Sequence, residues 1–357
     1  MEDTLSPKTI NIKSSINNYS VKFADVIDSK LSDIALPGDI ILVDENIHNL
    51  YDDLFVARSS SIHLIVIEAN ETQKSYQKIQ DIIEQIIDRD FKRNNRLIAI
   101  GGGIIQDCTG FIASIIYRGV DWIFIPTSLL AQGDSCIGSK TSINFDIYKN
   151  MLGGFYPPKN ILIDLSFLDS LSKNDIMSGL GEMLHYFIVS SKEDFEFYKD
   201  NYINAIENKE ILSQIIYKSL LIKKDYIERD EFDKNERQVF NYGHTFGHAI
   251  ESITEYQIPH GIAVSFGMDL ANFISEQLGL ISKDVTQEIR EVTNVICNGF
   301  SIDDINLDDY LALLKKDKKN QDGMLGLILN NGFGNIKKIF TEPNEDFRGY
   351  LQDYFLK

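Results

Sequence analysis

The sequence has 357 residues, of which 43% are apolar and 25% are charged, and 35 Lys and Arg residues against 53 Asp and Glu residues give a net charge of −18. This length and apolar content predict two domains rather than one, and the acidic balance opposes binding to nucleic acid or to an anionic membrane surface. No stretch approaches the roughly 18 uninterrupted apolar residues of a membrane helix. Because the N-terminus lacks an apolar core behind a basic start and the 3 cysteines form no CxxC pair, we expect a cytoplasmic protein with reduced thiols.

Strand-like and helix-like segments alternate along the first half of the chain. Buried strands are predicted at 39–43, 63–68, 96–100, 122–125 and 161–163, and a helix is predicted at 75–88. Such alternation indicates a mainly parallel sheet of the dinucleotide-binding type. After about Ser170 the apolar spacing becomes helical and the segments lengthen. We therefore predict an α/β dinucleotide-binding domain at 1–170 and an all-α metal-binding domain at 171–357, joined without a flexible linker.

The third predicted strand runs into three glycines, in GGGIIQD at 101–107. Glycines directly after a buried strand let the backbone approach a phosphate, and the next helix offers its N-terminal amides. The cluster is not a GxGxxG, and alone it is weak evidence. However, residues 118–159 are rich in small and polar side chains and contain Lys140 and Lys149. Because loops longer than about 15 residues are usually functional, we favour anion binding here over a plain solvated connection.

A second group of chemically active residues lies in the helical half. His244 and His248 stand four apart in NYGHTFGHAIE (241–251) and so share one helix face. Glu182 lies in SGLGEMLHY, where it would be partly buried, and His260 precedes an apolar helix in IPHG. One glutamate with two histidines gives three ligands and leaves positions open, as a catalytic zinc site requires. The spacing leaves open which histidines bind the metal.

The order of short motifs resembles that of a known enzyme family. GGGIIQD, YRG, IPTSLLAQGDS, GSKTSIN, KNMLGGFYPPK, GLGEMLHY, FNYGHTFGHAIE, PHG and DKKNQDG follow one another between residues 70 and 323. The series resembles the 3-dehydroquinate synthases, members of the sugar phosphate cyclases, which depend on NAD and on Zn²⁺ or Co²⁺. The resemblance implies conversion of 3-deoxy-arabino-heptulosonate 7-phosphate to 3-dehydroquinate and phosphate, a step of the shikimate pathway of aromatic amino acid biosynthesis. In that family NAD is reduced and reoxidised within each turnover.

The resemblance assigns Glu182, His244 and His260 as the metal ligands and His248 as a substrate-side residue. It also assigns the residues that meet the phosphorylated sugar acid: Lys223 and Arg237 match positions that hold the carboxylate, and Asp134 matches an acid that orients hydroxyls. The other substrate residues that it implies are Arg118, Lys140, Asn150, His185, Asn241, His248 and Lys318 or Lys319. The NAD-binding residues that it implies are Glu71, Lys74, Gly102, Gly103, Asp107, Thr127, Ser128, Lys140, Lys149, Phe167 and Ser170. It further implies a homodimer in which Arg118 reaches the neighbouring active site.

Several positions depart from the family's usual pattern and bear on the substrate. The main one is His185, where the family usually has lysine. The others are Ser139 and Ser142 in place of glycine, Phe240 and Tyr242 in place of leucine, and Ile262 in place of an acid. The retained Lys223 and Arg237 favour a substrate with a carboxylate, hence dehydroquinate or its amino analogue as product.

Three alternatives follow. Synthases of aminodehydroquinate, 2-deoxy-scyllo-inosose or 2-epi-5-epi-valiolone diverge in the same pocket. Metal-dependent polyol and glycerol dehydrogenases share the fold, but they release NADH and lack the lysine and arginine set. A non-catalytic paralogue would keep the scaffold for binding alone, and the intact set of Glu182, His244 and His260 argues against it.

Overall fold

The computed structural model describes residues 9–29, 31–56, 62–146, 148–316 and 320–355. The chain divides into two compact units, of which the first is Met1–Leu171 with Lys223–Phe232 and the second is Ser172–Ile222 with Asp233–Lys357. We predicted that 223–232 would belong to the second domain, whereas this segment packs with the first unit.

Among the described residues, the first unit contains a seven-stranded sheet and a separate two-stranded hairpin. Its strands are β1 (Thr9–Ile12), β2 (Tyr19–Phe23), β3 (Ile40–Asp44), β4 (His63–Ile67), β5 (Leu97–Gly101), β6 (Trp122–Pro126), β7 (Lys140–Phe145), β8 (Tyr148–Phe155) and β9 (Asn160–Ile163). The sheet order is β1-β2-β9-β6-β5-β3-β4. All neighbours pair in parallel except β1 and β2, which are antiparallel. This confirms the mainly parallel α/β class.

The five predicted strands are β3, β4, β5, β6 and β9, each within one residue at either end. Every residue of β3, β5 and β6 is buried, because a parallel sheet is covered on both faces. The first unit contains the helices α1 (Glu45–Leu50), α2 (Asp52–Val56), α3 (Tyr76–Asp88) and α4 (Gly103–Ile115). Helix α3 buries Ile79, Ile82 and Ile86 along one side, which is the apolar spacing from which it was predicted.

The long segment at 118–159 has more regular structure than the sequence indicated. After β6 it forms a π-helical turn at Ala131–Ser135 and then the antiparallel hairpin of β7 and β8. Single π-helical turns are frequent at functional sites, and this one carries Asp134.

The second unit is helical. Its helices are α5 (Lys173–Ser190), α6 (Lys192–Asn201), α8 (His244–Ile253), α9 (His260–Gln277), α10 (Lys283–Ile296), α11 (Leu307–Leu314) and α12 (Glu345–Phe355). Helix α7 (Lys209–Arg229) contributes residues to both units. The unit also contains an antiparallel hairpin of β10 (Leu325–Asn330) and β11 (Ile336–Thr341), so the prediction of an all-α domain is corrected to a helical domain with one hairpin. No helix in the described ranges is long and apolar enough to span a membrane.

Glycines allow α5, α8 and α9 to approach one another closely. A Cβ atom added at Gly261 of α9 would lie 1.8 Å from the carbonyl oxygen of Ser178 on α5. A Cβ added at Gly267 would lie 2.0 Å from the carbonyl oxygen of Gly243, at the start of α8. No side chain fits at either distance. Backbone contact at these glycines therefore brings the middle of α5 to the N-termini of α8 and α9.

Candidate functional site

The close packing of α5, α8 and α9 assembles the predicted metal ligands. Glu182 lies in the middle of α5, and His244 and His260 are the first residues of α8 and α9. The Glu182 Oε1 atom is 3.2 Å from His244 Nε2, and its Oε2 atom is 3.5 Å from His260 Nε2. The glutamate is 2% exposed, so a buried carboxylate faces one imidazole nitrogen with each oxygen.

The distances between these atoms fit a shared metal ion. Two ligand atoms on one tetrahedral zinc, each bound at about 2.0–2.1 Å, lie roughly 3.3 Å apart. Hydrogen bonds between a charged imidazole and a carboxylate are shorter, at about 2.7–2.9 Å. The observed 3.2 and 3.5 Å, one from each carboxylate oxygen, leave room for an ion between the carboxylate and the two imidazoles. The donor set of one carboxylate and two imidazoles also suits Zn²⁺ or Co²⁺.

The Nδ1 atoms of His244 and His260, on the side of each ring away from Glu182, each face an acceptor oxygen. His244 Nδ1 is 3.3 Å from the carbonyl oxygen of Tyr242, and His260 Nδ1 is 3.1 Å from Oε2 of Glu251. A neutral histidine that donates from Nδ1 presents an unprotonated Nε2, which is the form that binds a metal. The Nε2 atoms that face Glu182 are therefore the ones available as ligands.

Electrostatics keep Glu182 ionised. Burial alone would raise the pKa of its carboxyl group, but positive charge on protonated His244 and His260 outweighs burial and holds that pKa below its usual range. A bound metal ion would supply the positive charge in their place. An ionised carboxylate is the form that a metal ion binds.

His248 is also close to this cluster. One ligand nitrogen from each of His244, His248 and His260 can be chosen so that all three lie within 4.8 Å of one another. His248 is exposed, and its ring centroid is 5.4 Å from that of His244 and 5.7 Å from that of His260. Its predicted place beside the metal, on the substrate side, remains a prediction.

His185 follows Glu182 by about one helical turn and is 1% exposed. Its Nδ1 atom is 3.9 Å from Glu182 Oε1, and its ring centroid is 5.4 Å from that of His244. The ring also packs against Tyr186 and Phe240, with centroid distances of 3.9 and 5.7 Å. The residue that departs from the family's lysine thus lies beside Glu182 and His244, two of the predicted metal ligands.

Two further predicted substrate residues lie just before α8. Arg237 and Asn241 belong to a 3-10 segment, Glu236–Asn241. Arg237 is 4% exposed, and the Asn241 side chain donates to the carbonyl oxygen of Gln238 at 3.1 Å. Lys318 and Lys319 lie outside the described residues.

In the first unit, the glycine cluster at 101–103 spans the end of β5 and the start of α4, where a dinucleotide phosphate would bind. Gly102 is the N-cap of the helix, and a Cβ built on Gly103 would meet no atom within 4 Å. The Thr127 amide donates to the carbonyl oxygen of Gly101 at 3.0 Å, so Thr127 and Ser128 follow the adjacent strand at the same sheet edge. Open space before the amides of a helix N-terminus suits a pyrophosphate.

A polar cluster beside these glycines contains four of the predicted residues. Lys74 is 5% exposed, and its Nζ atom donates to Asp107 Oδ2 and to Asn150 Oδ1, both at 2.7 Å. Asn144 connects the fourth member, Glu71, to Asn150, because its side-chain amide donates to Glu71 Oε1 at 2.8 Å and its Oδ1 accepts from the Asn150 main-chain amide at 2.9 Å. Asn144 is the last residue of the GSKTSIN motif, but it was not predicted as a site residue.

Asp134 and Lys223 are paired within the first unit. Lys223, 6% exposed, donates from Nζ to the carbonyl oxygen and to Oδ1 of Asp134, both at 2.7 Å. The pair thus fixes a buried ammonium group on the π-helical turn.

The remaining predicted residues of the first unit are more dispersed. Arg118, Lys140, Lys149 and Ser170 are exposed. Phe167 is fully buried in the core, so only its main chain could meet a cofactor.

Two family models match consecutive parts of the chain. One, 3-dehydroquinate synthase N-terminal, matches residues 64–178, and the other, 3-dehydroquinate synthase C-terminal, matches residues 179–320. A curated relative, the 3-dehydroquinate synthase of Alkaliphilus metalliredigens (strain QYMF), is 34% identical over 310 residues, which are 86% of this chain and 87% of the relative.

Solved structures share the fold. A 2-deoxy-scyllo-inosose synthase complexed with carbaglucose-6-phosphate, NAD⁺ and Co²⁺ has a TM-score of 0.84 and 22% identity, and the match covers 98% of this chain and 99% of that one. A 2-epi-5-epi-valiolone synthase from Streptomyces hygroscopicus subsp. jinggangensis 5008, with NAD⁺ and Zn²⁺ bound, has a TM-score of 0.84 and 23% identity, with coverages of 96% and 98%.

Proposed function

Because the chain belongs to the 3-dehydroquinate synthase family, we propose that it converts 3-deoxy-arabino-heptulosonate 7-phosphate to 3-dehydroquinate and phosphate. The observation that carries the proposal is the convergence of Glu182, His244 and His260 at ligand spacing. In this proposal the NAD-binding domain is 1–170 and the metal- and substrate-binding domain is 171–357, except that the segment 223–232 packs with the former. The protein works in the cytoplasm as a homodimer, with Arg118 contributing to the neighbouring active site.

NAD and Zn²⁺ or Co²⁺ are the proposed cofactors. When bound, they supply a reversible hydride transfer and a Lewis acid. Glu182, His244 and His260 hold the metal ion, and the amides that follow Gly102, with Thr127 and Ser128, hold the pyrophosphate. The open space at Gly103 and the Nδ1 contacts behind both histidines support these assignments.

The positive side chains recognise the anionic substrate. In a chain with a net charge of −18, a doubly anionic substrate requires local positive charge. Lys223 and Arg237 bind its carboxylate, and both are buried, where an ion pair is screened less than at the surface. Asp134 holds the Lys223 ammonium group in place through the two 2.7 Å hydrogen bonds and orients the substrate hydroxyls.

A panel of sugar phosphates tests the proposal. The protein, supplied with NAD and Zn²⁺, is incubated separately with the heptulosonate 7-phosphate, its amino analogue, glucose 6-phosphate and sedoheptulose 7-phosphate, and released phosphate is measured. We expect the highest kcat/KM with the carboxylated heptulosonate. A preference for a substrate without a carboxylate would instead assign the protein to a sister cyclase.

The sister cyclases remain the second candidate because of His185. If His185, as a protonated imidazolium, hydrogen-bonds a substrate hydroxyl where the family uses lysine, removal of its ring loses a charge-assisted hydrogen bond worth roughly 1.5–3 kcal/mol. We therefore expect His185→Ala to lower kcat/KM for phosphate release about 10- to 150-fold. His185→Lys should retain or improve activity on the heptulosonate. His48→Ala, on α1, is the control and should leave kcat/KM unchanged.

The His185→Lys variant separates the two candidates. If it abolishes activity on the sugar phosphate that the wild type prefers, His185 determines specificity, and the protein belongs to a sister group of cyclases.

A further inference from the structure

A carboxylate lies directly behind one of the proposed metal ligands. Glu251 is on α8, seven residues after His244, and its side chain is 14% exposed. Its Oε2 atom is 3.1 Å from Nδ1 of His260. No role is assigned to this residue by the family resemblance or by the proposed ligand set.

The contact favours one tautomer of His260. A carboxylate oxygen can only accept, so the 3.1 Å contact favours the imidazole that carries its proton on Nδ1. The neutral ring then presents its lone pair at Nε2, which is the atom 3.5 Å from Oε2 of Glu182. The charge contact also favours one orientation of the ring.

We propose that Glu251 is a positioning residue of the metal site, acting through His260 rather than on the metal or the substrate. This inference rests on the proposed metal site. Carboxylate–histidine–metal arrangements orient the ring and increase its basicity, and their loss typically costs about 10- to 100-fold in metal affinity.

The two histidine ligands are supported differently. His244 donates from Nδ1 to a neutral main-chain carbonyl oxygen, that of Tyr242, at 3.3 Å. His260 Nδ1 instead contacts the charged carboxylate of Glu251. Glu251 therefore adds a second negative charge to that of Glu182. The two carboxylates together would match the charge of a divalent cation bound at this site.

The test measures metal affinity directly. Full-length protein is stripped with a chelator, and its Kd for Zn²⁺ is determined by competition with a chromophoric chelator. Glu251→Met keeps the side-chain length without an acceptor and should weaken Zn²⁺ binding about 10- to 100-fold. Glu251→Gln keeps an acceptor without the charge and should restore part of the affinity. Glu255→Gln, an exposed residue just beyond α8, removes one charge outside the contact and should bind Zn²⁺ like the wild type.

A second measurement separates positioning from stability. Bound to Co²⁺, Glu251→Met should show a shifted visible absorption spectrum, because the ligand ring is reoriented. An affinity and a Co²⁺ spectrum identical to those of the wild type would overturn the role of Glu251. If Glu251→Met does not fold, Glu251→Gln decides, and a Kd within about twofold of the wild-type value overturns the role. If the wild type itself binds no Zn²⁺ or Co²⁺, the proposed function fails together with this inference.

Discussion

Replacement of Glu182 by glutamine is expected to abolish stoichiometric metal binding and to lower kcat/KM for phosphate release about a thousandfold or more. Protein zinc sites bind with roughly 10–16 kcal/mol, so the loss of one of three ligands removes about 4 kcal/mol, which is about three orders of magnitude in affinity. The variant keeps the shape of the side chain but loses the charge that faces His244 and His260 at 3.2 and 3.5 Å. Metal content after dialysis and the rate of phosphate release measure the two effects.

A matched control is Glu193→Gln, an exposed position in the first turn of α6, which should keep one metal ion per chain and wild-type activity. Far-UV circular dichroism checks that Glu182→Gln is folded. One tightly bound metal ion per chain in a folded Glu182→Gln protein would remove Glu182 from the ligand set.

Replacement of Gly261 by alanine is expected to destabilise the protein by about 3 kcal/mol or more and to weaken metal binding at least about tenfold. The added Cβ would lie 1.8 Å from the carbonyl oxygen of Ser178 and 2.9 Å from the amide nitrogen of Glu182. Overpacking usually costs about 1–3 kcal/mol, and here the atoms in the way belong to the backbone and cannot rotate aside. Helices α5 and α9 must separate, which moves Glu182 away from His260.

Gly349→Ala on α12 is the comparison, because a Cβ at that position would meet no atom within 4 Å. Since alanine favours a helix over glycine by up to about 1 kcal/mol, this variant should be as stable as the wild type or more stable. Urea unfolding and Zn²⁺ titration of both variants provide the measurement. Equal stability and equal Zn²⁺ affinity in the two would show that the close helix approach does not shape the metal site.

The elements that the sequence predicted well are those whose burial is uniform. Strands such as β3 and β5 are buried at every residue, so their apolar runs stand out against polar loops. The hairpin of β7 and β8 was not predicted, because the sequence of β8, YKNMLGGF, contains two glycines and is mostly exposed. Its pairing with β7 determines its strand conformation, and no local pattern reports that pairing.

The ligand set could be predicted because motif order made the family resemblance recognisable, whereas the supporting contacts had weaker signals in the sequence. Glu251 follows His248 by three residues and therefore shares its helix face, a spacing that could have indicated a role. Asn144 contacts Glu71 across more than seventy residues of chain, and nothing near it in the sequence indicates that contact. Such contacts depend on the packing of distant segments.

One departure from the family's usual sequence, a serine in place of glycine, strains the backbone. Ser139, where glycine is usual, has a φ of +63°, in the left-handed region that glycine adopts at little cost. The serine therefore strains the start of β7 by roughly 1 kcal/mol. Ser142, the other such serine, donates from its hydroxyl to Asn150 Oδ1 at 2.9 Å. Ser142 thus adds a contact to a predicted substrate residue, whereas Ser139 adds strain.

The most direct test of the proposed function follows phosphate, dehydroquinate and absorbance at about 340 nm, where NADH absorbs, in one reaction. The protein is supplied with Zn²⁺, NAD and 3-deoxy-arabino-heptulosonate 7-phosphate, and many turnovers are recorded. We expect one phosphate for each dehydroquinate formed and no accumulation of NADH, because the cofactor is reoxidised within every cycle. NADH that accumulates in step with product, or the absence of phosphate release from a folded, metal-containing protein, would contradict the assignment.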